Sequence, residues 1–289
     1  MSYIERNGEA SLDAAEVVVA GHICLDVFPT LVGSVQFMPG QTVEAGPAVF
    51  STGGAVSNTG LALHKLGVKT QLMGKVGSDL FGQAILQIVE THGPGLSEGM
   101  VIVPGEFSSY SVILSPPNAD RMLIHAPGCN ATFGAEDVRY DVLETVRHFH
   151  FGYPPLMERM YANNGLELAT MFKRVKALGL SPRVTTSLDL SMPDPNSAAG
   201  STDWQSILSA TLPYVDIFLP SAEEMLFMLK RPLFDQLAAR SKGGRPLDHI
   251  SPEVIAELGQ TLLDMGARIV AIKAGERGLY LRTANATAL

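Results

Sequence analysis

The chain has 289 residues, of which 46% are hydrophobic, so it can bury a large core. Its 21 basic and 29 acidic side chains give a formal net charge of −8. Because no cluster of Lys or Arg interrupts this acidic balance, we expect neither nucleic acid nor a membrane surface as a partner.

The first part of the chain alternates between strand and helix patterns. Residues 17–26, VVVAGHICLD, form a short β-branched run that predicts a buried strand ending at Asp26. Residues 57–67 have the apolar spacing of a helix. A second strand is predicted at 68–77 and a second helix at 78–93.

Two segments depart from this alternation. Residues 27–52 contain several Pro and Gly residues and no helical pattern. Within 107–127, the runs 109–116 and 121–127 flank a Pro-Pro-Asn turn and predict a β-hairpin. We expect these segments to form a small β element beside the main sheet.

Alternation resumes in the second half of the chain. The predicted helices are 135–146, 166–179, 204–215, 222–230 and 251–266. The predicted strands are 147–156, 183–190, 216–221, 268–275 and 278–283, and 241–246 is predicted to be a surface loop. This order predicts a single α/β domain over 1–289, with a mainly parallel central sheet and helices on both faces.

Polar residues follow several predicted strands, where ligands bind in open parallel sheets. These residues are Asp26, Asp189, Ser221, Glu224, Lys273 and Gly275. A strand-end aspartate is equally often a turn or cap residue, so each residue has a structural and a functional interpretation.

Gly53 and Gly54 stand just before the predicted helix at 57–67. Adjacent glycines allow a ligand to approach the backbone, and free N–H groups at a helix start favour oxygen-rich or anionic ligands. An ordinary tight turn explains the same pair. Asn58 has the amide needed to bind a hydroxylated ligand, or to bond local backbone instead.

Other familiar sites are disfavoured. The chain has no G-x-x-x-x-G-K-[ST], and AGHICLD stands where G-x-G-x-x-G would follow the first strand. His148 and His150 alternate on one strand, and without a third ligand in view they predict a structural pair rather than a metal site. Cys24 beside His22 lies in an apolar strand, which favours a packed thiol over a nucleophile.

The cysteines and the N-terminus indicate where the protein works. Cys24 and Cys129 are far apart in sequence, which disfavours a disulfide framework. Residues 1–16 lack the apolar segment of a signal peptide, and no apolar run reaches the roughly 18 residues of a membrane span. We expect a cytoplasmic protein.

The order of these pieces resembles the PfkB-type carbohydrate kinases of the ribokinase superfamily. Residues 53–67, GGAVSNTGLALHKLG, followed by 74–82, GKVGSDLFG, are similar to that family's first signature. FLPSAEEM at 218–225 resembles its Pro-Asn-x-x-Glu motif, and IKAGERGLYL at 272–281 resembles its late Gly-x-x-Gly turn. The resemblance implies a ribokinase-like fold in which 27–52 and 107–127 form a β-lid.

The resemblance also implies an activity, the ATP-dependent phosphorylation of a sugar hydroxyl under a lid that excludes water. It assigns sugar binding to Asp26, Gly53, Gly54 and Asn58. It assigns the nucleotide side to Ser221, Glu224, Lys273 and Gly275, with Glu224 placing Mg²⁺ through water. Family members often dimerise through the lid, so a homodimer is also implied.

Two departures from the family pattern affect this expectation. Ser221 stands where the family has Asn. The family's second signature, which ends in Gly-Ala-Gly-Asp and supplies the general base, does not occur in the sequence. The base is therefore expected beyond Leu289, no catalytic residue is assigned, and the chain is expected to be C-terminally incomplete. A truncation and a natural short form both stay open.

Three functions remain open at this point. The first is a sugar kinase, with the activity of the 289-residue chain itself left open. The second is a sugar-binding or regulatory module without catalysis. The third is a nucleoside kinase of the same superfamily. A phosphorylated sugar substrate is disfavoured, because Ala55 and Val56 stand where members that handle such substrates often have Lys.

Overall fold

The computed structural model describes residues 15–31, 38–116, 121–178, 183–241 and 246–285. Its strands, in chain order, are β1 Val17–Gly21, β2 Cys24–Leu31, β3 Ala45–Gly53, β4 Thr70–Met73, β5 Lys75–Gly77, β6 Val101–Val103, β7 Tyr110–Leu114, β8 Met122–Ala126, β9 His148–Gly152, β10 Thr185–Asp189, β11 Ile217–Phe218, β12 Ile269–Lys273 and β13 Leu279–Thr283.

Helices alternate with most of these strands. They are α1 Ala62–Lys65, α2 Leu80–His92, α3 Tyr140–Leu143, α4 Glu158–Lys176, α5 Trp204–Thr211, α6 Ala222–Leu229, α7 Arg231–Arg240 and α8 Pro252–Asp264. A π-helix, Val56–Leu61, leads into α1. Short 3₁₀ turns lie at Gly128–Thr132, Ala135–Asp137, Pro154–Leu156, Ala199–Ser201, Leu212–Tyr214, Pro246–His249 and Gly275–Arg277. Non-helical backbone interrupts α4 at residues 162–165.

Seven strands form the central sheet, in the order β13-β12-β11-β10-β9-β1-β4. The pairings from β4 through β12 are parallel, and β13 pairs antiparallel with β12. Val18 and Ala20 of β1 belong to one buried apolar cluster, whereas Val19 belongs to another. Because successive strand side chains point to opposite faces, both faces of the sheet are covered. The predicted α/β fold with a mainly parallel sheet is confirmed.

A separate four-stranded sheet has the order β3-β2-β7-β8. Its strands come from the two segments expected to form a β element, and β7 and β8 pair as the predicted antiparallel hairpin. The turn between β7 and β8, at 117–120, lies outside the described residues, as do residues 1–14 and residues 242–245 of the predicted loop. We refer to this four-stranded sheet as the β-lid sheet.

The predicted strand over 17–26 is wrong, because the chain forms two strands there. β1 ends at Gly21, where the backbone φ is +122°. A Cβ at this position would lie only 2.4 Å from the Gly152 carbonyl oxygen, so only glycine fits. The chain turns there, leaves the central sheet, and enters the β-lid sheet at Cys24. Asp26 therefore lies within β2 rather than at the end of a central strand.

Two further elements differ from prediction. The strand expected over 68–77 divides at Gly74, and β5 pairs with β6, which the sequence analysis missed, in a small parallel sheet. The helix expected over 135–146 is reduced to a 3₁₀ turn and α3, because the buried Val138 between them has an extended backbone. Within the described part of the chain, no helix combines the length and apolar character needed to cross a bilayer.

Candidate active site

Gly53 ends β3 directly against the side chain of Asp26. The two residues lie on paired strands, where Cys24 is the cross-strand partner of Gly53. A Cβ built on Gly53 would lie 2.2 Å from Asp26 Oδ2, so any larger residue would displace the carboxylate. The absent side chain at this position makes room for Asp26, which is half-buried.

Gly54 turns the chain into the π-helix. Its φ is +88°, and a Cβ there would lie 2.3 Å from the backbone carbonyl oxygen of His22. That carbonyl accepts a hydrogen bond from the Val56 N–H at 3.1 Å, which fixes the start of the helix against the link between β1 and β2. The Asn58 N–H donates to the Gly54 carbonyl at 2.9 Å, and the Asn58 side chain is exposed. π-Helical turns of this kind occur often at functional sites.

Tyr153, which the sequence analysis did not select, connects Asn58 to the neighbouring strand end. The amide nitrogen of Asn58 lies 3.5 Å from the Tyr153 hydroxyl. Tyr153 has a left-handed backbone with φ of 68°, and its N–H donates to the Asp189 carbonyl at 3.1 Å. Such strained residues cluster at functional sites. The Tyr-Pro-Pro that follows the β9 run was the available signal.

Lys273 and Asp189 form an ion pair at the ends of β12 and β10. Asp189 is mostly buried, with 14% of its side chain exposed, whereas the Lys273 side chain is 43% exposed. Burial raises the pKa of Asp189, and the Lys273 charge opposes that shift. The Lys273 N–H also donates to the Pro220 carbonyl at 2.8 Å, which brings Lys273 beside Ser221.

Ser221 and Glu224 form a reciprocal capping box at the start of α6. The Ser221 N–H donates to Glu224 Oε2 at 2.7 Å, and the Glu224 N–H donates to Ser221 Oγ at 3.2 Å. Glu224 is only 7% exposed. Burial raises the pKa of this carboxyl, while the charge of Lys273 and the Ser221 N–H bond lower it. The pair therefore has a structural role in addition to any ligand contact.

Gly275 lies two residues after Lys273, in the exposed turn between β12 and β13, where its φ is +55°. The substitution of Ser for the family's Asn at 221 preserves the cap, because serine and asparagine are both good N-cap residues. The serine at position 221 is therefore compatible with the nucleotide-side role that the resemblance implies for it.

A series of direct contacts connects the predicted sugar side of the site with the predicted nucleotide side. From Asn58 the series runs through Tyr153 and Asp189 to Lys273, which adjoins Ser221. These residues lie where the parallel strands of the central sheet end, which is the usual ligand edge of such sheets. Asp26 approaches from the β-lid sheet instead.

Residues 74–82, the second part of the segment that resembles the family's first signature, hold the β-lid sheet against α2. Asp79 caps α2 by accepting from the Gly82 N–H at 2.8 Å, and its other oxygen accepts from the Ser108 N–H at 2.9 Å. A Cβ on Gly82 would lie 2.1 Å from the Gly77 carbonyl oxygen. Asp79 thereby ties the start of α2 to the segment that enters β7.

The predicted histidine pair and the packed thiol match the structure. His148 Nε2 and His150 Nδ1 each lie 2.7 Å from the Ser187 hydroxyl, so both rings serve a cross-strand contact between β9 and β10. Cys24 is 3% exposed, and burial raises the pKa of its thiol.

The fold as a whole is ribokinase-like. The ribokinase of Giardia lamblia superposes with a TM-score of 0.68 over 94% of this chain and 73% of that one, at 20% identity. A ribokinase of Arabidopsis thaliana complexed with ribose and ATP superposes with a TM-score of 0.67 over 93% of this chain and 75% of that one, at 18% identity.

Comparison at the level of sequence identifies the family. The family model described as pfkB family carbohydrate kinase matches residues 14–289. This chain is 26% identical over 175 residues to a probable fructokinase of Arabidopsis thaliana, covering 60% of this chain and 50% of that protein. It is 24% identical over 222 residues to an uncharacterized sugar kinase of Archaeoglobus fulgidus, covering 77% and 73%. The chain belongs to the pfkB family of carbohydrate kinases, and it spans about half the length of the plant fructokinases that it matches.

Proposed function

We propose that this protein is an ATP-dependent kinase that phosphorylates a hydroxyl of a free sugar. The observation that carries the proposal is that Asp26, Gly53, Gly54 and Asn58 lie together beside the β-lid sheet. Asn58 is connected through Tyr153 and Asp189 to Lys273 at the edge of the central sheet. The resemblance to fructokinases and ribokinases supports the same activity.

The sugar end offers complementary hydrogen-bonding groups. The Asp26 carboxylate accepts hydrogen bonds from sugar hydroxyls, and the Asn58 amide both donates and accepts. The Gly53–Gly54 backbone permits close approach of the sugar ring. Burial raises the pKa of Asp26, whereas its contacts with Cys24 and Ser111 favour the ionised form.

The nucleotide end fits ATP and Mg²⁺ chemically. In our proposal the Lys273 ammonium, which is partly exposed, binds phosphate oxygens, and the Gly275 turn and Ser221 border them. Glu224 supplies the oxygen chemistry that Mg²⁺ prefers and would hold the ion through water. When bound, ATP supplies the phosphoryl group and Mg²⁺ neutralises the charge of its phosphates.

Phosphoryl transfer also needs a base that takes the hydroxyl proton. No residue of the 289 matches the Asp of the family's Gly-Ala-Gly-Asp. We therefore propose that a preparation of these 289 residues binds sugar but does not accelerate ATP turnover.

Calorimetric titration of the 289-residue protein with fructose, ribose and adenosine tests the sugar site. We expect Asp26→Asn to weaken binding of the preferred ligand about 10–100-fold, because hydrogen bonds to charged groups contribute about 1.5–3 kcal/mol. Asp235→Asn, on an exposed aspartate of α7, is the control and should bind as wild type. Equal affinity of the Asp26→Asn and wild-type proteins would contradict the proposed site. Preference for adenosine over both sugars would favour a nucleoside kinase.

A coupled assay of ADP release tests the chemistry. No sugar-dependent ADP is expected from these 289 residues, and ADP release by them would exclude the non-catalytic alternative. A longer form that carries Gly-Ala-Gly-Asp should release ADP with the sugar that binds. Failure of such a form with every sugar and nucleoside would contradict the kinase proposal.

Location and assembly belong to the same proposal. A cytoplasmic protein is consistent with Cys24 and Cys129, which are both free and buried. A homodimer through the β-lid sheet is supported by exposed apolar side chains there, including Phe50 at 55% and Ile124 at 58%. Light scattering of wild type and of the double variant Phe50→Ser/Ile124→Ser would separate a dimer from a monomer.

A further inference from the structure

Three potential metal ligands meet beside Asp26. His22 lies in the link between β1 and β2, Cys24 begins β2, and His125 lies on β8. One ligand atom from each residue lies within 4.8 Å of the other two. His22 is 1% exposed and Cys24 is 3% exposed, whereas His125 is half-buried, so solvent reaches the cluster only from the β8 side.

The spacing is close to that of a tetrahedral ion. Zinc with ligands about 2.0–2.3 Å away requires ligand atoms roughly 3.3–3.7 Å apart. His22 Nε2 and His125 Nε2 are already 3.4 Å apart. The widest separation in the cluster is at most 4.8 Å, so the ligand atoms must approach one another by up to about 1 Å on binding.

The surroundings of the two rings suit metal binding. His125 Nδ1 lies 3.0 Å from the Ser111 hydroxyl, which can orient the ring as outer partners of metal-bound histidines do. The buried Nδ1 of His22 lies beside Gly54 and has no hydrogen-bond partner among the described residues, so the nitrogen of this ring that faces His125 is Nε2.

Asp26 offers a fourth ligand if its side chain shifts. Its Oδ1 lies 3.2 Å from Cys24 Sγ, but the carboxylate does not belong to the group whose ligand atoms all lie within 4.8 Å of one another. Two imidazoles, one sulfur and one carboxylate form a donor set that suits Zn²⁺ and disfavours Mg²⁺, which prefers oxygen ligands. This cluster is therefore distinct in chemistry from the proposed nucleotide end.

We propose that His22, Cys24 and His125, with Asp26 as the fourth ligand, bind one Zn²⁺ ion at the floor of the β-lid sheet. On binding, the Cys24 thiol releases its proton to solvent as the Sγ–Zn bond forms. The ion connects β8 to the link between β1 and β2 and so restrains the β-lid sheet. If Asp26 binds sugar, as the proposed function requires, zinc and sugar compete for this carboxylate.

The test uses the 289-residue protein, stripped of metal by a chelator and titrated with Co²⁺ and then Zn²⁺. One equivalent of Co²⁺ should give the visible bands of a tetrahedral site together with a thiolate charge-transfer band, and Zn²⁺ should abolish both. Cys24→Ser should remove the charge-transfer band. Removing an outer hydrogen-bond partner of a metal ligand typically weakens metal binding about 10–100-fold, and removing a ligand itself should weaken it more. We therefore expect His125→Ala to weaken Zn²⁺ binding at least about 100-fold.

Matched controls come from the same chain. Cys129→Ser replaces the other buried cysteine, and His92→Ala replaces a histidine of α2 outside the cluster; both should bind as wild type. Co²⁺ spectra without a thiolate band, or equal Zn²⁺ affinity in Cys24→Ser, His125→Ala and the controls, would overturn the proposal. These readouts need no sugar, so they stand even if the kinase proposal fails. Weaker fructose or ribose binding in the zinc-loaded protein tests the competition separately.

Discussion

At the sugar end of the site, glycines allow backbone and side chains to meet, whereas at the nucleotide end polar side chains pair with one another. Gly53 and Gly54 leave no room for a Cβ beside Asp26 and His22. Ser221 and Glu224 instead form a cap, and Lys273 pairs with Asp189. The first end is therefore constrained by shape and the second by charge and hydrogen bonds. Substitutions should affect the two ends differently.

The largest effect is expected from Gly54→Ala. Alanine at this position would be strained by the left-handed backbone, and its Cβ would overlap the His22 carbonyl oxygen. Together these two effects should lower the free energy of unfolding by about 2–5 kcal/mol. Gly67→Ala is the matched control, because Gly67 has a similar φ of +85° but no atom within 4 Å of a built Cβ. It should cost only about 1–2 kcal/mol. Urea unfolding measures both, and equal losses would show that shape does not constrain the sugar end.

The sequence predicted the parallel fold well, because strand and helix periodicities in the central sheet are strong. It misplaced Asp26, because residues 17–26 have the pattern of one buried strand, whereas the turn at Gly21 depends on contact with the distant Gly152. Tyr153 was missed because its role depends on a backbone conformation and on two distant partners.

For the site residues too, local sequence was informative only where no distant contact was involved. The functional interpretation of Gly53, Gly54 and Asn58 came from resemblance, and local spacing alone left a tight turn equally good. Spacing did not predict the packing of Asp26 against Gly53, because they are brought together by antiparallel pairing of β2 and β3. The cluster formed with His125 was equally invisible, since His125 lies about 100 residues away from His22 in the chain.

Lys273→Gln should have the next largest effect, now at the nucleotide end. It leaves the mostly buried Asp189 without its cation, and we expect a loss of about 1–3 kcal/mol. ATP binding should weaken about 10–100-fold, because a charge-assisted contact is lost. Lys230→Gln, which breaks a more exposed pair with Glu257, should cost about 0–1 kcal/mol and leave ATP binding unchanged. Indistinguishable ATP titrations of the two variants would remove Lys273 from the proposed site.

Ser221→Ala should have a smaller effect on stability. Removing an N-cap costs about 0.5–2 kcal/mol, and Ser251→Ala, at the start of α8, removes a comparable cap far from the site. The two variants should lower the melting temperature similarly, but only Ser221→Ala should weaken ATP binding. Ser221→Asn keeps a good cap and should restore both properties. If Ser221→Ala binds ATP as wild type does, Ser221 has only the capping role.

The smallest effect is a change in pH dependence caused by Glu224→Gln. Burial raises the pKa of Glu224 above its ordinary value of 4.5, so the folded state holds this proton more tightly than the unfolded state. Its contribution to stability therefore falls as pH rises from about 4.5 toward the raised pKa. Glutamine retains a side-chain oxygen for the cap but cannot ionise. The wild-type free energy of unfolding minus that of the variant should thus decrease as pH increases.

Glu253, in the first turn of α8, provides the contrast. A hydrogen bond with Ser251 lowers the pKa of Glu253, so its contribution is present above 4.5 and is lost as pH falls. For Glu253→Gln the same difference should therefore increase with pH. Urea unfolding of the three proteins between about pH 3 and pH 8 measures both slopes, because this range extends well below and above the ordinary Glu pKa of 4.5. Slopes of the same sign would show that burial does not govern the titration of Glu224.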